Sequence, residues 1–168
     1  MDNALMPCRS HILMVLSVMG AMLCADIGSK WAIQNLVMQP PRVIPILPVF
    51  NLTLGFNTGV SFGIGRDFFD AYPLVLALFK LCITAGLLVW AVLASLQIER
   101  IGLALISGGA LGNAFDRWRQ GAVTDFIDLH WAGWHWPTFN IADIGIVAGA
   151  GLLILAIWLP HARATHQP

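Results

Sequence analysis

The sequence predicts an all-α integral membrane protein of four transmembrane helices, with a small strand-bearing cap between the first and the second. Three observations carry that prediction: an excess of apolar residues, a shortage of charge, and four mainly apolar stretches that can each form a spanning helix. Hydrophobic residues make up 58% of the 168 and charged residues 11%, where a soluble domain holds roughly 45–50% and 25%. So little charge leaves more apolar surface than water tolerates, and lipid is the medium that covers it.

The first stretch covers residues 12–34. Its outline, Arg9 followed by Ile12 to Ala25, is also that of a secretory signal peptide. The pair Asp26 and Lys30, spaced one helical turn apart, argues for a retained helix instead, because a discarded segment has no use for it. The second helix is expected over 72–96, where Lys80 snorkels toward the nearer interface. Glu99-Arg100 marks a charged turn before a third helix over 101–115, which ends at Asp116-Arg117-Trp118-Arg119. The fourth covers 141–159 and stops at Pro160. An even number of spans places both termini on one side, and the length suits a single domain, 1–168.

The cap is expected at about residues 40–68. Phe50-Asn51-Leu52-Thr53-Leu54 alternates with the period of a half-buried strand. Pro40, Pro41, Pro45 and Pro48 hold the preceding stretch extended or at a sheet edge, and Gly59 to Gly65 reads as a glycine-rich turn.

Zero net charge and the lack of a basic run exclude a nucleic-acid binder. Cys8, Cys24 and Cys82 are odd in number and lack metal-ligand spacing, and no H-e-x-x-H motif occurs, so no metal or other cofactor is expected. His130, Trp131, Trp134, His135 and Trp136 read as an aromatic anchor at headgroup level.

Chemistry concentrates in a few polar residues set in apolar sequence. An aspartate at the bilayer centre costs roughly 2.5–3.5 kcal/mol, so Asp125 and Asp143 are candidates for work inside the bundle. Asn140 and Asp143 share a helix face, as do Asn113, Asp116 and Arg117. Gly108 with Gly112, and Gly145 with Gly149, are small-xxx-small pairs through which the third and fourth helices can approach and bring these clusters together. Two carboxylates sharing a site hold one proton between them, the arrangement by which aspartic proteases activate water. The structural alternative is that Asp125 caps an interfacial helix and Asp143 pairs with Arg117. Asp26 and Lys30 suit an intrahelical ion pair or contact with substrate. A proton-coupled membrane carrier or proton-relay subunit is the rival from another class, because buried Asp, Lys and Arg also mark ion paths.

Five blocks then stand in order along nearly the whole chain: Asp26-Ile27-Gly28-Ser29-Lys30, Asn57-Thr58-Gly59-Val60-Ser61-Phe62, Gly108-Gly109-Ala110-Leu111-Gly112-Asn113-Ala114-Phe115-Asp116-Arg117, Val123-Thr124-Asp125-Phe126-Ile127 and Phe139-Asn140-Ile141-Ala142-Asp143. With them the chain resembles the bacterial lipoprotein signal peptidases, also called signal peptidase II. The resemblance implies an aspartic endopeptidase of the bacterial inner membrane with cytoplasmic termini, an extracytoplasmic β-cradle and an active site at that face. The implied substrate is a diacylglyceryl-modified prolipoprotein, cut immediately before the lipidated cysteine. It also implies Asp125 and Asp143 as the catalytic dyad, with Asn113, Arg117 and Asn140 around it. Asn57 and Gly59 then lie beside the substrate path, and Asp26 and Lys30 form the first-helix motif. Inhibition by cyclic peptide antibiotics such as globomycin is part of the same expectation, as is function as a monomer. Ser61 and Lys80 depart from the family pattern.

Overall fold

The computed structural model describes residues 9–58 and 73–158. Its elements run α1 (Arg9–Ala32), a π-helical turn (Ile33–Val37), β1 (Ile44–Leu47), β2 (Phe50–Asn57), α2 (Pro73–Leu93), α3 (Gln97–Gln120), β3 (Val123–Trp131), β4 (Trp134–His135) and α4 (Ile141–Ile157). The four strands form one antiparallel sheet in the order β1-β2-β3-β4. The molecule is thus helical with a small sheet, not all-α outside a cap.

Half of that sheet comes from the α3–α4 connection and not from the cap between the first two helices, which corrects the sequence expectation. The physical reason lies in burial. β2 has an exposed or half-buried face and shows the period of two. Residues 123–126 at the start of β3 are all buried and do not alternate between apolar and polar, and only the later Ile127-Asp128-Leu129-His130-Trp131 does. A two-stranded hairpin of β1 and β2 alone is marginal, and pairing with β3 provides the third strand that such a unit needs. Pro45 sits in the edge strand β1, where its missing N–H costs no ladder bond.

The third helix also differs from expectation, running 97–120 instead of 101–115. Glu99 Oε2 accepts the Leu96 N–H at 3.1 Å, so Glu99-Arg100 opens the helix and does not form a turn. At the other end, Arg117 and Arg119 are favourable in a last turn whose free carbonyls carry partial negative charge. Gly121, at φ 78° and donating to the Arg117 carbonyl at 3.0 Å, then stops the helix. The charged residues therefore lie within α3 and do not terminate it.

α3 is the central helix, packed against α1, α2 and α4. One apolar core joins Val15 of α1, Ala91 of α2 and Ala94 just after it, and Leu103 and Ala104 of α3. A second, of Ile33, Met38 and Phe126, seats the π-helical turn on the sheet. That turn also brings Gln34 round to donate to Thr124 Oγ1 and to Gln120 Oε1, the latter at 3.2 Å, which ties the end of α1 to the start of β3.

The expected meeting of Gly108 and Gly112 with Gly145 and Gly149 does not occur, although Gly149 does bring α4 against α3, at the Gly102 carbonyl. A Cβ at Gly108 would lie 2.7 Å from the Met19 carbonyl oxygen, one at Gly112 would collide with the Asp26 carboxylate, and one at Gly145 would lie 2.5 Å from Met22 Sδ. All three therefore face α1. Gly109, about 100° further round α3, is the residue that meets the Ala142 carbonyl of α4, and Gly149 meets Ile106. The stripe of small residues packs two helices, one on each side of α3.

Large apolar side chains cover the outside: Val147 is 71% exposed, Ile157 73% and Trp158 82%, while Asp26, Lys30, Ser107 and Asn140 are buried. Among the described residues one helical run, Arg9–Val37, is long and apolar enough to cross a membrane, with shorter apolar helices at Leu81–Leu93 and Ile141–Ile157. The Lys80 side chain lies outside the described residues.

The close approach at Gly108 sets a test. Gly108→Ala adds a methyl to a filled interface and lowers stability by about 1–3 kcal/mol. Gly20→Ala, with nothing within 4 Å of the new Cβ, does not. Thermal unfolding of the two variants in detergent distinguishes them, and an equal effect refutes the tight α1–α3 contact.

Candidate active site

Three helix ends and one strand converge at one end of the bundle. α1 contributes Asp26 and Lys30, α3 contributes Asn113, Asp116 and Arg117 from its last turns, β3 contributes Asp125, and α4 begins with Asn140 and Asp143. The chain reaches α4 through Phe139, which pairs with β3: Phe126 and Ile127 donate to its carbonyl at 3.0 and 2.9 Å, and its own N–H donates to the Ile127 carbonyl at 3.1 Å. That pairing lays Asn140 beside Asp125.

Asn140 is the N-cap of α4. Its Oδ1 accepts the Asp143 N–H at 3.1 Å, and Asp143 Oδ2 accepts the Asn140 N–H at 3.1 Å, a reciprocal capping box. The rest of the Asn140 amide is free to act across the site. Its Nδ2 donates to Asp125 Oδ1 at 2.7 Å and to Asn113 Oδ1 at 3.2 Å. Asn113 Nδ2 in turn donates to Asp143 Oδ1 at 3.1 Å. Both carboxylates are thereby hydrogen-bonded to one asparagine and linked through a second.

The structural alternative of a helix cap does not describe Asp125. Asp125 lies within β3 opposite Gly55 and caps no helix. Asp143 is held by the two asparagines. Arg117 donates from Nη1 to the Asn113 carbonyl at 3.5 Å and lies near enough to both carboxylates to act on them electrostatically.

Asp125 is 4% exposed. Burial pushes its carboxyl up to about 6, against the pull of hydrogen bonds from Asn140 and Asn57 and with a smaller push from the charge of Asp143. The Asn57 bond, Nδ2 to Asp125 Oδ2 at 3.2 Å, comes from the end of β2. Gly59 and Ser61, two residues further along that motif and beyond, lie outside the described residues.

Lys30 and Asp26 form the i, i+4 pair at 2.7 Å, wholly inside the protein. Asp116, which the sequence offers only as a neighbour of Asn113, is a third charged member: its Oδ2 lies 3.3 Å from Lys30 Nζ and accepts the Thr124 N–H at 2.9 Å. Its three-residue spacing from Asn113 was the available signal.

A second polar group escaped sequence reasoning. Asp128 accepts from Asn51 Nδ2 at 2.9 Å and pairs with His135 Nδ1 at 2.8 Å, and these partners hold its carboxyl below the usual range despite the opposing effect of burial. Asn51 and Asp128 are direct cross-strand neighbours, a pairing visible only once the register is known. Trp131, Trp134 and Trp136 stand exposed at the same hairpin.

The site has the contents of an acid–base centre, and known proteins are similar to the whole chain in sequence and fold. A family model described as signal peptidase II matches residues 18–159. A lipoprotein signal peptidase of Polynucleobacter necessarius is 42% identical over 154 residues, covering 85% of this chain and 88% of that one. Two solved structures of bacterial membrane enzymes, obtained by the in meso method, are similar in fold. One, at 2.3 Å resolution, has a TM-score of 0.76 and 24% identity, with 92% of this chain and 93% of that chain covered. The other, at 1.9 Å, has a TM-score of 0.71 and 26% identity, with 86% and 92% covered. With a family match over most of its length and this level of identity to a curated relative, the chain belongs to the signal peptidase II family.

Proposed function

We propose that this chain is an aspartic endopeptidase that removes signal peptides from diacylglyceryl-modified prolipoproteins, cutting just before the lipidated cysteine. The observation that carries the reading is the bridging of Asp125 and Asp143 by Asn140, which puts two carboxylates at one place with one set of donors.

The two carboxylates differ in surroundings, and the difference suits division of labour. Asp143 accepts two N–H bonds, from Asn113 and from the Asn140 backbone, which fix the direction of its oxygens in the site. Asp125, raised to about 6 by burial, holds a proton more readily. In the proposed reaction Asp143 takes a proton from water as its oxygen attacks the scissile carbonyl carbon. Asp125 gives its proton to the carbonyl oxygen, and collapse of the tetrahedral intermediate returns a proton to the leaving amine.

The apolar exterior supports four lipid-embedded helices, with the sheet as a cradle at the extracytoplasmic interface and both termini cytoplasmic, in the bacterial inner membrane. Trp131, Trp134 and Trp136 suit headgroup depth. A lipidated cysteine keeps its acyl chains in the bilayer, so the bond to be cut stays near the interface and the carboxylates have to meet it there. Function as a monomer is part of the same proposal. Gly59 is proposed to line the substrate path with Asn57, and cyclic peptides such as globomycin to compete for the same cleft.

Asp125→Asn and Asp143→Asn are each expected to lose about 10²–10⁴-fold in cleavage of a lipidated precursor, read as a gel shift with purified enzyme. Normal turnover by either variant removes that residue from the dyad.

The reaction also has a predicted pH limb. Activity needs the dyad's proton, so kcat/KM falls as pH rises through about 6, where Asp125 gives it up. Asn57→Ala removes a donor that favours the ionised form, which raises the Asp125 pKa and moves the limb to higher pH. A fluorogenic lipopeptide assayed across pH reads the shift, and a limb that stays or moves down contradicts the assignment of the proton to Asp125.

A further inference from the structure

Lys30 takes no part in the reaction as proposed, yet each of its contacts leads to one of the two aspartates. Its side chain is buried, and Nζ meets three oxygens: Asp26 Oδ2 at 2.7 Å, Asn113 Oδ1 at 2.8 Å and Asp116 Oδ2 at 3.3 Å. Asp26 Oδ1 accepts the N–H of Ala142 at 2.9 Å, one residue before Asp143. Asp116 Oδ2 accepts the N–H of Thr124 at 2.9 Å, one residue before Asp125. Asn113 passes its Nδ2 to Asp143 itself.

We propose that Lys30 is the positioning residue of the dyad, a buried ammonium that holds the backbone beneath each aspartate through Asp26 and Asp116 and aims the Asn113 amide at Asp143. The proposal rests on the aspartic reading above. Charge balance alone does not account for the geometry. Asp26, one turn away on the same helix, already neutralises the lysine, and Asn113 has no charge to neutralise. What the third contact does is orient. An ammonium has only donors, so the Asn113 carbonyl oxygen has to face it, and the amide nitrogen is thereby turned to Asp143. The same oxygen receives Asn140 Nδ2, so the lysine also fixes the acceptor that Asn140 uses beside Asp125. α1, α3, β3 and α4 are thus pinned to a single atom, and the spacing of two carboxylates on different elements becomes independent of the loops between them.

Two variants test this. Lys30→Met keeps length and apolar volume but removes every donor, and leaves two buried carboxylates uncompensated. Lys30→Met combined with Asp26→Asn and Asp116→Asn removes those charges while keeping acceptors for Ala142 and Thr124, so it isolates the loss of the tether from the loss of charge balance. Displacement of catalytic groups by about 1 Å costs on the order of a hundredfold. The expected result is a compensated variant with the thermal midpoint of wild type, kcat down about a hundredfold, and KM for a lipidated peptide essentially unchanged. Recovery of kcat in the compensated variant, or normal kcat in Lys30→Met, shows a lysine that only balances charge and overturns the proposal. Failure of the compensated variant to fold overturns it as well, because the lysine then holds the fold and not the dyad. If Asp125→Asn turns over normally in the same assay, it is the aspartic reading that fails, whatever the lysine variants do.

Discussion

A charge taken out of water has to find partners, and the burial of the Lys30 ammonium beside three acidic or amide oxygens is the constraint around which this molecule is arranged. An unpaired buried ion costs several kcal/mol. The partners it requires cannot all come from its own helix: Asp26 does, but Asn113 and Asp116 have to be delivered by α3. That delivery demands close contact between α1 and α3, which Gly108 and Gly112 permit by offering no side chain on the facing surface. The polar centre and the small-residue stripe are therefore one device. Neither makes physical sense without the other.

The fold also solves a problem of mixed geometry. One aspartate stands on a strand and the other on the first turn of a helix, and elements of such different period do not keep register with each other unaided. The backbone pairing of Phe139 with Ile127 joins them at their bases, and the capping box of Asn140 and Asp143 fixes the direction in which α4 leaves the sheet. Asn140 spends one end of its amide on the cap and the other on Asp125. A residue that starts a helix is thereby made part of the candidate site, so the two cannot drift apart without loss of the cap.

On the proposed reading, the placement of polar and apolar surface follows from the substrate. A lipidated cysteine cannot leave the bilayer, so an enzyme acting on it has an apolar exterior and a polar interior. The exposed Val147, Ile157 and Trp158 and the buried Asp26, Lys30 and Asn140 have that distribution. Burial has a chemical effect too. It raises the Asp125 carboxyl to about 6, which suits that group to hold the proton the proposed reaction needs.

How much of this was legible in the chain depends on the range over which each signal acts. Apolar run length marked the helices, the alternation at Phe50 to Leu54 marked β2, and the i, i+4 spacing of Asp26 and Lys30 marked their pair, because each is a property of neighbours along one element. The polar residues that matter stood out as misfits in apolar sequence. Tertiary structure decided the rest. β3 was hidden because a strand start buried throughout does not alternate, and the end of α3 was misplaced because Arg117 and Arg119 look like a boundary while stabilising a last turn. The facing of Gly108 toward α1, the pairing of Asn51 with Asp128 and the joining of Asp116 to Lys30 depend on which surfaces meet. Local spacing determines which side chains share a face; only packing determines what that face is turned toward, because burial energy is set by the whole set of elements and not by any one of them.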